Sequence, residues 1–271
     1  MPDPALKLIN ITKKFPGVLA LDRVNFELLP GEVHVLFGEN GAGKSTLTKI
    51  IAGSYIPDSG EIYVHGHKAA FESPQDARNT GISAVYQEFS LVPQLTVLEN
   101  LFLGREMIKN GLLDKESMRK KAEESLARLD FDLDLSARVA DLNRAERQMV
   151  EIAKAFQDKM SVLILDAPTA SLTDKEVIKL FEIIRKLKSE RVGVVYISHR
   201  MDELKKIGDR ITVFRDGKYV ATLNMQDADE KKLISLMTGR EFAEIFPTIT
   251  HAPGKPVLTV QGLTTASGVR D

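Results

Sequence analysis

The chain has 271 residues, with 37 Lys and Arg against 38 Asp and Glu, a net charge of −1 and no cysteine. That length suits one large α/β domain or two small ones, and the apolar content supports a sizeable core without staples. The near-neutral charge gives no general pull toward nucleic acid or an anionic membrane, and the lack of cysteine excludes disulfides and thiolate metal sites. The start, Met1-Pro2-Asp3-Pro4, lacks the basic and apolar regions of a secretory signal. No apolar run approaches the roughly 18 residues of a membrane helix, so work at a membrane is expected to go through another chain.

Leu6, Leu8 and Ile11 mark an opening strand, and Phe15-Pro16-Gly17 reads as a turn. Leu21 to Leu29 alternates apolar and polar residues and predicts a second strand, closed by Pro30-Gly31. Val33 to Phe37 is a short apolar strand that enters Gly38-Glu39-Asn40-Gly41-Ala42-Gly43-Lys44-Ser45-Thr46. This is the spacing of a phosphate-binding loop. Its glycines let backbone N–H groups curl around a polyphosphate, Lys44 supplies a point charge, and Ser45 offers a hydroxyl to Mg²⁺. The helix expected over Leu47 to Ala52 points its positive end at the anion.

Glu61 to Val64 predicts another strand, Ser73-Pro74 a helix start, and Ile82 to Tyr86 an apolar strand ending at Gln87. From about Val97 to Phe156 the pattern turns helical, as expected of a helical subdomain inserted over about residues 89–157. Val162 to Leu165 is a continuous apolar strand of the buried parallel kind, delivering Asp166 at its end. A carboxylate there, near a phosphate loop, suits a Mg²⁺ site. A helix over Asp174 to Glu190, a buried strand Val194 to Ile197 ending at Ser198-His199, and a helix Met201 to Ile207 follow. A hairpin turns at Asp216-Gly217, and Asp229 to Thr238 closes the domain as a helix. Residues 247–256 read as a proline-rich linker. Leu258 to Thr264 repeats the apolar pattern of Leu6 to Thr12, so 257–271 is expected to be the first strand of a second copy of the 1–246 domain.

Phe15, the phosphate loop, Gln87, Leu142 to Gln148, Asp166, Ser171-Leu172-Thr173-Asp174 and His199, in that order, resemble the ATP-binding subunits of ABC transporters. Thr12 to Val18, Gln87-Glu88 to Glu106 and Gln148 to Lys154 look like the tandem subunits of monosaccharide importers of the ribose, galactose and xylose type. The resemblance implies a P-loop NTPase core with an N-terminal antiparallel β subdomain and an α-helical insertion. It implies ATP and Mg²⁺ as ligands and a place on the cytoplasmic face of the membrane. Its partners would be integral membrane permease subunits, a second ABC domain in the same chain and, indirectly, a periplasmic or extracellular sugar-binding protein, with no role for nucleic acid. The apolar residues Phe89, Leu91, Val92 and Leu95 would either receive a permease helix or pack the subdomain. By position, Phe15 would stack on adenine, and Gly38, Asn40, Gly41, Ala42, Gly43, Lys44, Ser45 and Thr46 would hold the phosphates. Ser45, Gln87 and Asp166 would hold the metal. His199 would contact the γ-phosphate and the attacking water.

Two positions depart from the family pattern. The glutamate expected after the metal aspartate, which polarises the attacking water, is Ala167. The signature, usually Leu-Ser-Gly-Gly-Gln, reads Leu142-Asn143-Arg144-Ala145-Glu146. The expectation is therefore a domain that binds Mg-ATP and hydrolyses it poorly. A soluble ABC protein acting on ribosomes or DNA, and a regulatory module that never hydrolyses, stay open as alternatives.

Overall fold

The computed structural model describes residues 3–156, 160–239 and 254–262. The chain divides into two units, Met1–Arg240 and Glu241–Asp271. The first runs β1 (Leu6–Phe15), β2 (Val18–Leu28), β3 (Val33–Phe37), α1 (Lys44–Ile51), β4 (Ser59–Val64), β5 (His67–Ala69), α2 (Pro74–Asn79) and β6 (Ile82–Val85). It continues with α3 (Val97–Phe102), β7 (Ile108–Lys109), β8 (Leu112–Leu113), α4 (Lys115–Leu129), α5 (Arg144–Ala155), β9 (Val162–Asp166) and α6 (Asp174–Ser189). It ends with β10 (Gly193–Ile197), α7 (Met201–Ile207), β11 (Arg210–Arg215), β12 (Lys218–Asn224) and α8 (Glu230–Thr238).

Strands that are apolar at every position must be covered on both faces, and this sets the centre of the fold. A six-stranded sheet has the order β12-β11-β3-β10-β9-β6, parallel except for the hairpin partner β12. Side chains alternate between two cores. Leu163 and Leu165 face a core shared with α5, α6 and the helical insertion. Val162 and Ile164 face a core shared with α1 and a second, four-stranded antiparallel sheet of order β2-β1-β4-β5. The expected β subdomain, parallel core and helical insertion are thus all formed. Helix starts follow local chemistry. Ser73, Thr96 and Asn143 cap α2, α3 and α5, each in a reciprocal capping box with Asp76, Glu99 and Glu146.

Three features differ from the sequence expectation. β5 was not foreseen, because His67-Lys68-Ala69 has an apolar neighbour on one side only and pairs as an edge of β4. The insertion is not helical throughout. Ile108–Lys109 and Leu112–Leu113 form a small hairpin around Asn110-Gly111, a dipeptide that favours positive φ at both turn positions. In the second unit, residues 254–262 are exposed and form no strand, so the strand expected from residue 257 is not seen among them. A strand needs a neighbouring ladder to bond with, and the pattern alone does not supply one. Residues 247–253 of the linker and 263–271 of the repeat lie outside the described residues.

One buried charge ties the two sheets together at the end of the fold remote from the phosphate loop. Glu32 precedes β3 and is buried. It accepts hydrogen bonds from Arg210 Nη2 at 2.9 Å and Leu29 N at 2.7 Å, and His34 Nδ1 lies 3.3 Å away. Burial pushes its pKa up, but the hydrogen bond of Arg210 and the contacts of His34 and Leu29 outweigh burial and bring it down from 4.5 to about 2. A depressed carboxylate stabilises the fold above its unfolded-state value, and that stability is lost as pH falls toward 2. Arg210→Ala leaves the carboxylate buried and unpaired, at a cost of about 3–5 kcal/mol. Urea unfolding of both proteins between pH 7 and pH 3 is expected to show that cost at pH 7. Acidification should then destabilise the parent more steeply than the variant.

Candidate functional site

The parallel register places several strand ends on one edge. Tyr196 lies opposite Val35 and Leu165, and Ile197 lies opposite Asp166. β3, β9 and β10 therefore release Gly38, Ala167 and Ser198 side by side, with Gln87 two residues beyond β6. A crevice outside the carboxyl ends of parallel strands is where such sheets bind ligands. The loop itself is a backbone structure. Gly38 has φ +155, and a Cβ there would sit 2.4 Å from the carbonyl of Phe214. Gly43, with φ +98, leads into α1 against the carbonyl of Ala20. Neither place tolerates a side chain.

Lys44 is buried and donates to the carbonyls of Gly38 at 2.7 Å and Glu39 at 2.9 Å, so its ammonium spans the loop. Ser45 Oγ donates to Asp166 Oδ2 at 3.4 Å. Both charges are held away from water. Burial lowers the pKa of Lys44, with Asp166 opposing, and burial raises that of Asp166, with Ser45, Lys44 and His199 opposing. A hydroxyl beside a desolvated carboxylate is a hard oxygen pair, which suits Mg²⁺ rather than a softer metal.

One cavity of about 570 Å³ unites the predicted residues. Its walls include Phe15, Asn40, Gly41, Gly43, Lys44, Ser45, Thr46, Gln87, Asp166, Ala167 and His199. Gly38 and Ala42 do not line it: the first presents its carbonyl to Lys44, and the second is buried in the core with α1. Phe15 is partly exposed at the β1–β2 turn, its ring edge-to-face on Tyr55 with centroids 5.4 Å apart. Val18 and Ala20 complete that apolar end. Ala167 has φ +48 and donates its N–H to Ile197 O at 2.9 Å.

Asn143, Arg144, Ala145 and Glu146 stand apart from this cavity, at the start of α5. Asn143 Oδ1 accepts from Glu146 N at 2.9 Å, and the Glu146 carboxylate accepts from Asn143 N at 2.8 Å. The segment thus closes on itself, with a negative charge at the helix N-terminus. Ser171 to Asp174 leads into α6, where Thr173 and Glu176 form the capping box.

Sequence reasoning missed a buried polar cluster behind the site. Glu203, on the first turn of α7, accepts from Thr169 Oγ1, Tyr196 OH and Ser198 Oγ. In the sequence, Asp202-Glu203 reads as ordinary acid at a helix start. The available signal was that Glu203 lies beside Leu204 and Ile207 on the inward face. A second missed pair is Glu151 with the backbone N–H of Ser90, which fastens the segment after Gln87 to α5.

The raised pKa of Asp166 carries a stability sign. Asp166 is more easily protonated when folded, so its ionised form opposes folding and the opposition grows as pH rises. Asp166→Asn is therefore expected to raise the melting temperature of the nucleotide-free chain at pH 7. It should at the same time remove any Mg²⁺ dependence of nucleotide affinity, measured by calorimetry with and without the metal.

Comparison with known proteins agrees with this geometry. The sequence model of the family described as ABC transporter matches residues 21–170. Ribose import ATP-binding protein RbsA 1 of Rubrobacter xylanophilus is 53% identical over 268 residues, covering 99% of this chain and 54% of that protein. Ribose import ATP-binding protein RbsA 1 of Streptomyces avermitilis is 48% identical, covering 97% of this chain and 50% of its own length. The chain thus spans about half the length of the curated relatives it matches. Among solved structures, an ATP-binding cassette of an ABC transporter in its ADP conformation superposes with a TM-score of 0.73 at 25% identity, covering 88% of this chain and 99% of that one. A dimeric bacterial ABC transporter cassette gives 0.72 at 28% identity, covering 81% and 98%. The chain belongs to the ABC transporter family.

Proposed function

We propose that residues 1–246 form an ATP-binding domain, one half of a tandem subunit that energises import of a sugar through partner membrane subunits. The observation that carries the binding reading is the single cavity walled by Lys44, Ser45, Gln87, Asp166 and His199 with Phe15 at its apolar end. The sugar-import reading rests on the relatives named ribose import ATP-binding proteins, and the tandem on their roughly doubled length.

The roles follow from the side chains. The loop N–H groups and Lys44 hold the phosphates, and Phe15 stacks on the base. Ser45, Asp166 and Gln87 would hold Mg²⁺, which supplies charge neutralisation to the phosphates when bound. His199 stands at the cavity wall to hydrogen-bond the γ-phosphate. At Ala167 a methyl neither accepts a proton nor orients water, so binding survives and hydrolysis is slow. Loss of a general base costs about 10²–10⁴-fold, or ~3–5 kcal/mol of barrier. The signature segment is the second departure from the family pattern. In the family pattern its helix N-terminus faces a partner domain's γ-phosphate, but here the Glu146 carboxylate takes the N–H of Asn143.

Docking at the cytoplasmic face of the membrane would go through the permease. No helix among the described residues is long and apolar enough to cross a membrane. The docking groove would lie beside Gln87 near Glu88 to Glu99, next to a pocket lined in part by Arg78, Tyr86, Ser90, Glu151 and Lys154. Of the apolar residues after Gln87, Leu91 packs on the core.

Calorimetry on the chain is expected to show Mg-ATP binding that Lys44→Ala abolishes. Steady-state turnover should be slow, and Ala167→Glu should raise it by about 10²–10⁴-fold. Turnover typical of ABC ATPases in the unsubstituted chain, removed by Lys44→Ala, would refute the slow-hydrolysis reading. Binding with no gain from Ala167→Glu would favour a purely regulatory domain.

A further inference from the structure

Behind the cavity, one carboxylate holds two loops at once. Glu203 is 6% exposed. Its Oε2 accepts three hydroxyls: Thr169 at 2.9 Å, Tyr196 at 3.0 Å and Ser198 at 2.9 Å. Its Oε1 accepts from Arg200 Nη1 at 3.1 Å. Ser198 Oγ in turn accepts from the backbone N–H of Arg200 at 3.1 Å. The residues on both sides of His199 are therefore pinned, one directly and one through both its side chain and its backbone.

The second loop is that of Asp166. Thr169 lies three residues beyond it, in a turn where Ala170 N donates to Ala167 O at 3.3 Å. A single oxygen thus bridges the Asp166 turn and the His199 turn beyond the end of the β9–β10 ladder, and both of those side chains line the cavity. Charge pairing does not explain the arrangement, because the Arg200 side chain is 61% exposed and such a pair is worth little in water. A buried anion is costly, and three hydroxyls on one oxygen satisfy it only when both loops are in place.

We infer that Glu203 is a positioning residue, holding His199 where it distinguishes a nucleoside triphosphate from a diphosphate. The inference rests on the nucleotide-binding reading above. Glu203→Gln probes it with little change in volume. The amide keeps one acceptor oxygen but turns an NH₂ toward either Arg200 or the three hydroxyls, so one of the two sets loses its acceptor.

The test is a double-substitution cycle on the 271-residue chain. Affinities for Mg-ATP and Mg-ADP are measured by calorimetry for the parent, Glu203→Gln, His199→Ala and the double variant, with melting temperatures recorded alongside. The parent is expected to prefer the triphosphate. Glu203→Gln should cut the ATP-to-ADP affinity ratio by roughly fivefold or more while ADP affinity stays within about twofold. The double variant should be no worse than His199→Ala alone, as expected of groups acting in series. A lowered melting temperature with an unchanged ratio overturns the inference, as does equal weakening of both nucleotides, full additivity with His199→Ala, or a parent that binds the two nucleotides equally. If Glu203→Gln does not fold, Ser198→Ala enters the same cycle under the same criteria. A parent that binds neither nucleotide overturns the binding reading, and this inference with it; binding with an unaltered ratio overturns the inference alone.

Discussion

The site depends on the in-register parallel pairing of β3, β10 and β9. Parallel strands leave their carboxyl ends on one edge, and the register fixes which residues emerge together. With Ile197 opposite Asp166, the loops after β9 and β10 start level with one another. A slip of one residue would turn Asp166 toward the other face and exchange the two cores, because side chains alternate along each strand. The apolar alternation of Val162, Leu163, Ile164 and Leu165 between those cores is what prevents the slip. Packing on both faces thus sets the geometry of groups that themselves contribute nothing to packing.

Those groups work against the fold that positions them. Lys44 and Asp166 are both buried, and burial shifts each toward its neutral form. Each lies at a strand or helix end where the core gives it no choice of position. A triphosphate with its metal brings the opposite charges to the same place, and a ligand that binds only the folded state adds its binding free energy to stability. The loop contacts of the Lys44 ammonium are carbonyl oxygens, neutral partners that an anionic phosphate outcompetes. On the proposed reading, electrostatic strain in the free chain and affinity for Mg-nucleotide have the same origin.

Much of this was legible in the sequence, and the reasons differ by element. β3, β9 and β10 are continuous apolar runs, and the turns and caps around them use residues with strong local preferences, such as Ser73-Pro74 and Asp216-Gly217. The cavity residues follow because they sit at the ends of those strands. What stayed hidden has no local signal. β5 is a three-residue edge defined by its neighbour, and Glu203 has meaning only once Thr169, Tyr196 and Ser198 surround it. Of the pattern repeated at 258, only residues 258–262 lie among the described residues. The pattern matches Leu6 to Thr12 in apolar spacing, yet β1 is a strand because β2 and β4 flank it. Periodicity reports a preference, and a ladder reports a fold.

The proposed separation of binding from hydrolysis turns on Ala167. Its backbone is not an ordinary alanine's: φ is +48, a region that costs L-residues about 1–2 kcal/mol, and its N–H is tied to Ile197 O. The main chain is therefore held by the sheet register and by the turn that Thr169 anchors, and the side chain has no part in holding it. A glutamate at this position would meet the same backbone constraint and present a carboxylate to the cavity wall that Ala167 already forms. The phosphate loop, the Asp166 carboxylate and the His199 turn are each held by contacts that do not involve the alanine methyl. Loss of the carboxylate leaves those contacts intact, and on this the proposed split between nucleotide binding and slow hydrolysis rests.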